Sequence, residues 1–471
     1  MDRLYGARRN RIQGMPASVT QAAGLRQALV WFTRDPSLAN LALHGNVGWQ
    51  PARLITLAVL WVWSDQRTLS GAFAQACGLA QQMFGEVAVT TYQGLTGALR
   101  SHGQQLLPLL EAAWHRKMEH AAGAYWRMGM WLVLAVDGTR LTTPRTISNE
   151  RAFAARNYGF GAKAKGRKKW KNKKRRSKKL SAPVKPQIWL TLIWHVGLKM
   201  PWCWQAGPST ASERHHAQEM LRARKFPANT LLCGDAGFVG YDFWKSILDL
   251  GHQFMIRGGG NVRLLRKLGV ARQRDGIVYL WPNEAMRQRQ PPLVLRLLEF
   301  QGPRGKVCLV TSVLSDRQLS ATQARRLYRL RWGVELQFRA FKQTFNRGTL
   351  RSRTADNALV ELDWSLVGLW MIQLYATREQ IKFESPPEQS SVALALDAIQ
   401  DAMHNWCGDH CSSRALRRRL AVAIKDAYRR HSTKQARYRP KYKDAPTATE
   451  PILRTASAKQ RKAYSTLLRA A

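Results

Sequence analysis

Four apolar runs of strand length, separated by breaks and helical stretches, constrain this chain more than any other feature. They are WLVLAV at 131–136, QIWLTLIWHV at 187–196, TLLCGD at 230–235 and HQFMIR at 252–257. Stretches at 211–225 and 241–250 carry apolar positions at helical spacing and lie between the later runs, so the texture is α/β. From 258 to 318 the order changes: GIVYLW, LVLRLLEF and KVCLVTSVL read as three further strands, a β-rich insertion. The flanks are helical. Pro51–Asp65, Thr68–Phe84 and Thr91–Ala122 precede the first strand, and 320–346 and 356–378 follow the insertion. The expected division is 1–125, a helical N-terminal domain; 126–257, the first part of an α/β core; 258–318, the insertion; 319–380, the second part of the core; and 381–471, a basic helical region.

Charge narrows the choice of partner. Among 471 residues, 75 Lys and Arg face 30 Asp and Glu, a formal +45, and a polyanion is the default partner of such a chain. No run approaches the roughly 20 apolar residues a bilayer span needs, and MDRLYGARRNRIQGMP lacks the apolar segment of a secretory signal. A cytoplasmic protein is expected, with no membrane partner. Residues 163–179 hold twelve basic residues and no acidic one. Such a block repels itself, so it reads as a loop whose Lys168, Lys169, Arg175 and Arg176 contact a nucleic-acid backbone and release counterions; a solvated surface loop is the blander alternative. Six cysteines show no paired framework. His404, Cys407, His410 and Cys411 are ligand types, but their spacing matches no structural zinc pattern.

Residues 320–346 carry the sharpest signal. Ser320 with Gln323 forms a capping-box pattern, and Gly348 lies just beyond the end. At 100° per residue, Leu327, Leu330, Val334, Phe338, Phe341 and Phe345 share an arc of about 80°, the stripe that faces the core. Beside it, Tyr328, Arg331, Glu335 and Lys342 fall within about 60° of one another. By itself this second stripe also suits a solvated face with an ordinary i,i+4 ion pair.

Tyr328-x2-Arg331-x3-Glu335-x6-Lys342 resembles the Y-R-E-K signature of DDE transposases of the insertion-sequence 4 family, with every spacing intact. The resemblance implies a ribonuclease-H-like core with Glu335 as third catalytic carboxylate and Tyr328, Arg331 and Lys342 on DNA near the cleaved end. In that family the first two carboxylates lie at or beside strand ends. Asp137, in LVLAVDGTRLT, is read as ending a strand at an Asp-Gly turn, and Asp235, in LLCGDAGF, as ending another. An Asp-Gly pair alone is equally a hairpin signal. Among the 18 Trp, Trp281 and Trp332 are candidates to hold a flipped base, against the commoner role of filling a hydrophobic layer.

Three converging carboxylates repel one another unless cations balance them. Oxygen ligands select Mg²⁺ or Mn²⁺, and two such ions suit phosphodiester displacement. The reading is therefore a transposase that cleaves and transfers DNA strands, Asp137, Asp235 and Glu335 holding two ions. Its partners would be double-stranded DNA, at the element's inverted repeats and at the target, and a second copy of the chain in the synaptic complex; its place, the nucleoid of a bacterium. The competing readings are an inactive or domesticated relative that only binds DNA, a nuclease of the same fold, and an RNA-coating protein, for which the long apolar core is a poor match.

Overall fold

The computed structural model describes residues 24–39, 41, 49–85, 87, 89–154, 185–269, 276–302, 305–406, 413–424 and 449–470. The four apolar runs all become strands: β1 (Leu132–Thr142), β2 (Gln187–His195), β4 (Thr230–Gly234) and β5 (Gln253–Gly258), with β3 (Met200–Pro208) between them in sequence. In space they lie in the order β3-β2-β1-β4-β5. β2 runs antiparallel to β1 and β3, while β1, β4 and β5 are parallel. This is the ribonuclease-H-like arrangement. All five β4 residues and the first five of β1 are buried, which is why these strands read as continuous apolar runs and not as alternating ones. The sequence did not mark β3: MPWCWQAGP contains two prolines and a glycine, residues tolerated at the edge it occupies.

The insertion extends this sheet. β9 (Gly305–Thr311) pairs antiparallel with β5, and β8 (Leu293–Gly302), β7 (Ile277–Leu280) and β6 (Arg263–Arg266) continue outward. It contributes four strands where three were legible, because RLLR is too short to show a period. A tenth strand, β10 (Ile452–Thr455), lies parallel to β6, so the described part of the C-terminal region is not helical throughout.

Helices flank the sheet. α1 (Pro51–Trp63), α2 (Leu69–Phe84) and α3 (Tyr92–Ala122) precede it; α4 (Glu213–Ala223) crosses between β3 and β4; α5 (Ala321–Arg331) and α6 (Gly333–Arg339) follow the insertion; α7 (Ala355–Ile381) comes next. Most of α7 is buried, and α1, α3 and β3 pack on it. Gly368 permits the closest contact: a Cβ there would lie 2.6 Å from Val62 Cγ2, and the Gly368 carbonyl accepts the Trp63 indole N–H at 2.9 Å. Arg347 spans the same joint from Ser365 to the Val62 carbonyl. Among the described residues no helix is long and apolar enough to cross a membrane.

Candidate active site

The β1–β4 pairing sets the first two carboxylates side by side. Leu132 faces Thr230 and Ala135 faces Cys233, an offset that, two rungs further on, brings Asp137 level with Asp235. Asp235 lies one residue beyond β4 and caps the short turn Ala236–Phe238, its Oδ1 accepting from Gly237 N–H at 2.7 Å. Asp137 is placed differently from the expectation. It sits in mid-strand, since β1 runs on to Thr142 and Gly138 pairs with Thr191. The Asp-Gly pair is no turn. Gly138 is glycine because another side chain needs the room: a Cβ there would lie 2.7–2.8 Å from Cδ, Cγ and Oε1 of Glu213.

The third carboxylate comes from a helix that is not continuous. The capping box forms as read, Ser320 and Gln323 exchanging bonds of 3.2 and 3.0 Å. α5 then ends at Trp332, where α6 begins, and α6 passes into a π-turn at Ala340–Thr344. The residue after the break lies hard against the sheet. At Gly333 a Cβ would overlap Trp194 Cη2 and lie 2.8 Å from Cζ3, so only glycine lets the helix approach β2. π-turns inside helices recur at functional sites; here the turn carries Lys342, whose Nζ donates to Thr139 Oγ1 of β1 at 2.6 Å. Leu327, Val334, Phe338, Phe341 and Phe345 are buried and Leu330 partly so, the stripe read from periodicity.

Arg331 ties the cluster together. Only 6% of its side chain is exposed, with Nη1 3.7 Å from Asp137 Oδ2 and Nη2 3.8 Å from Glu335 Oε1. Those are long ion pairs. Nε and Nη1 are buried without a hydrogen-bond partner, an arrangement that suits further anionic oxygen at this place. The guanidinium lies 5.4 Å from the ring centre of Tyr328. All four residues of the second stripe thus border the strands that bear the two aspartates.

Glu213, the first residue of α4, was not singled out from the sequence. Asp235 Oδ1 and Glu213 Oε2 lie 3.0 and 4.0 Å from where a Gly237 Cβ would stand, so this fourth carboxylate borders both aspartates. No sequence spacing marks it: a glutamate in the first turn of a helix is ordinary. Crowding shows in the acidities. Burial pushes Asp137 up to about 6, Asp235 and Glu335 adding to the rise and Arg331 opposing it. Burial, with Asp137 and Asp235, pushes Glu213 up to about 7. Burial also raises Glu335 and lowers Lys342. The oxygens of Asp137, Asp235, Glu213 and Glu335 are the hard donors that a divalent cation takes. Among the described residues the one group of three ligand-type side chains with atoms within 4.8 Å of one another lies elsewhere, Glu299, Cys308 and Glu450, and it already has its cation: Lys306 reaches the two glutamates at 2.9 and 3.4 Å.

The remaining candidates lie elsewhere. Trp332 is 58% exposed and lines a cavity of about 570 Å³ with Trp194, Leu336 and Gln337. Trp281 is buried, its indole N–H donating to the Gln290 carbonyl at 2.9 Å and its ring against Tyr464; it fills a hydrophobic layer and presents no open face to a base. Lys168, Lys169, Arg175 and Arg176, with the rest of the basic block, lie outside the described residues, as do Cys407, His410 and Cys411. His404 pairs with Asp65 at 2.9 Å.

Comparison with known proteins decides the family. The family described as "Transposase DDE domain" matches residues 132–371, from the start of β1 into α7. The chain belongs to the DDE transposases. A curated relative, "Transposase InsG for insertion sequence element IS4" of Escherichia coli (strain K12), is 26% identical over 277 residues, 55% of this chain and 56% of its own length. The chain thus spans little more than half the length of the curated relative it matches. Among solved structures, the cryo-EM "piggyBac transposase synaptic complex with hairpin DNA" aligns over 89% of both chains with a TM-score of 0.38 and 11% identity. DDE transposases depend on divalent metal.

Proposed function

We propose that this chain cleaves and joins DNA strands at the ends of an insertion sequence, with Asp137, Asp235 and Glu335 as its catalytic carboxylates. The observation that carries the reading is the convergence of two level aspartates on parallel strands with a helix glutamate across one buried arginine. The three carboxylates would hold Mg²⁺ or Mn²⁺, two ions, which when bound polarise a phosphodiester and acidify water. The protein's own groups do the rest. Arg331, its Nε and Nη1 unbonded, receives phosphate oxygens and offsets repulsion between Asp137 and Glu335. Lys342, held on Thr139, adds a point charge to the strand end, and Tyr328 offers a hydroxyl or a stacking face. β1, β4 and α6 are rigid elements, so the carboxylates need little rearrangement to reach a reactive geometry.

The wider assignments follow from this reading. Residues 1–125 form a DNA-binding domain, 126–257 and 319–380 the two parts of the catalytic core, 258–318 its insertion and 381–471 a further basic region. The block at 163–179 and exposed Trp332 contact DNA, and two copies of the chain hold two element ends, on the nucleoid of a bacterium. The test is cleavage of a plasmid carrying the gene's flanking DNA with Mg²⁺, using wild type and Glu335→Gln in parallel. Nicks at the element ends from wild type alone support the proposal. Equal cutting by both, or binding without cutting by both, overturns it.

A further inference from the structure

A helix of the C-terminal region turns one face of the insertion basic. α8 (Ala458–Ala470) follows β10 directly. Its start is fixed by a capping box, the Ser457 N–H donating to Gln460 Oε1 at 2.9 Å and the Gln460 N–H to Ser457 Oγ at 3.2 Å. Ala463, Tyr464 and Leu467 pack on the core, with the Tyr464 ring 6.2 Å from those of Tyr279 and Trp281. That docking decides which side of the helix meets solvent. At 100° per residue Lys459, Lys462, Thr466 and Arg469 share an arc of about 80° turned away from the packed side, and all four are exposed. The helix contains no acidic residue.

The strands beneath it extend the charge. Side chains of paired residues share a sheet face, as do residues two apart on one strand. Arg263 pairs with Ile452 and Arg454 with Leu265, while Leu265 also faces Tyr279, so both arginines stand on the face that receives Tyr464. Both are exposed, and neither β6 nor β10 has an acidic residue. Among the described residues none of these five cations takes part in an ion pair or a side-chain hydrogen bond, and Glu450, just before β10, is already held by Lys306. Like charges one turn apart destabilise the helix that carries them; a polyanion laid across them reverses the sign.

We propose that this face, Arg263 and Arg454 with Lys459, Lys462 and Arg469, binds the phosphate backbone of duplex DNA whatever its sequence. From Lys459 to Arg469 the stripe is about 15 Å long, roughly the axial length of four phosphates on one strand. Two of its three cations are lysines, which offer a point charge and not a fixed fork, so the contact holds the duplex and reads little of it. The proposal rests on the chain acting on DNA and is independent of which carboxylates cut it.

The experiment follows binding of the full-length protein, in chelator and over a series of salt concentrations, by fluorescence anisotropy of two duplexes, one with the gene's flanking DNA and one unrelated. Lys459→Gln with Lys462→Gln is compared with wild type and with an equal change of charge elsewhere, Arg222→Gln with Lys225→Gln, two exposed cations at and beyond the end of α4; far-ultraviolet circular dichroism checks folding. The lysine pair should lower the slope of log affinity against log salt by about 2 on both duplexes, and the other pair by much less. An unchanged slope, or equal falls in the two pairs, overturns the face as a DNA contact, and a fall on the flanking duplex alone overturns its indifference to sequence. Lys459→Arg with Lys462→Arg keeps the charge and should keep the slope; a fall there too overturns the electrostatic role. If the glutamine pair does not fold, Arg469→Gln decides the matter, a fall of about 1 supporting the contact and an unchanged slope overturning it. Failure of wild type to bind either duplex overturns the proposed function and this inference together.

Discussion

Gly333→Ala tests whether the site depends on how closely its helix lies on the sheet. The added Cβ would overlap Trp194 Cη2 and stand 2.8 and 3.0 Å from Cζ3 and Cζ2, where carbon atoms in contact need about 3.5 Å or more. The ring borders the cavity beside Trp332 but belongs to β2, where it is 1% exposed and level with Ala135 of β1. Overpacking of this kind costs roughly 1–3 kcal/mol, and the helix-propensity gain of alanine over glycine returns at most about 1 kcal/mol. A net loss on the order of 1–2 kcal/mol follows, read as a lower urea midpoint. Gly97→Ala, in the second turn of α3 with nothing within 4 Å of its Cβ position, should be neutral or stabilising, so one chemical change carries opposite signs at two helical sites. Relief of the clash also lifts α6, and Glu335 lies two residues on; a displacement near 1 Å costs on the order of 10²-fold in rate. DNA cleavage should therefore fall far more than stability. A Gly333→Ala protein as stable and active as wild type would refute the contact and its role in placing Glu335.

Three further outcomes are expected. In chelator, stability should decline as pH rises from 3.8 through about 6, because the folded protein holds the Asp137 proton more tightly than the unfolded chain; the fall is on the order of 3 kcal/mol, Asp137→Asn should lack it in urea melts, and Mn²⁺ affinity should climb over the same interval. Burial pushes the Glu379 carboxyl up, but Arg378, Lys382 and Arg417 outweigh it and hold it below its usual 4.5; its contribution is present above that pH and lost below it, so Glu379→Gln should cost on the order of 3 kcal/mol at pH 7 and much less at pH 3, and an equal cost at both would contradict the pairing. Lys342→Ala should weaken binding to element-end DNA and lower the slope of log affinity against log salt by about 1, where an unchanged slope would remove Lys342 from the phosphate contacts.

The site was legible to the extent that it follows periodic rules. The stripe Leu327–Phe345 appeared because burial on one helix face repeats near 3.6 residues, and the four apolar runs because strands covered on both faces carry few polar residues. Asp137 was found but misplaced: an Asp-Gly pair is the usual sign of a tight turn, and nothing local tells that Glu213, 75 positions further on, fills the space above the glycine. The close approach at Gly333 escaped for the same reason, since Trp194 is distant in sequence. β3 and β10 were missed because prolines on an edge and a four-residue strand leave no pattern. Tertiary proximity, not propensity, decided each case.

β10 has a consequence for assembly. It pairs with β6 across 189 residues of chain (263 to 452), so during synthesis the outer margin of the insertion is laid down long before the segment that covers it. Until then β6 exposes unpaired backbone groups, the surface through which sheets of separate molecules adhere. Chains interrupted between residues 344 and 452 would thus carry all the acidic residues of the candidate site and an open seam, and would tend to aggregate where the longer chain does not.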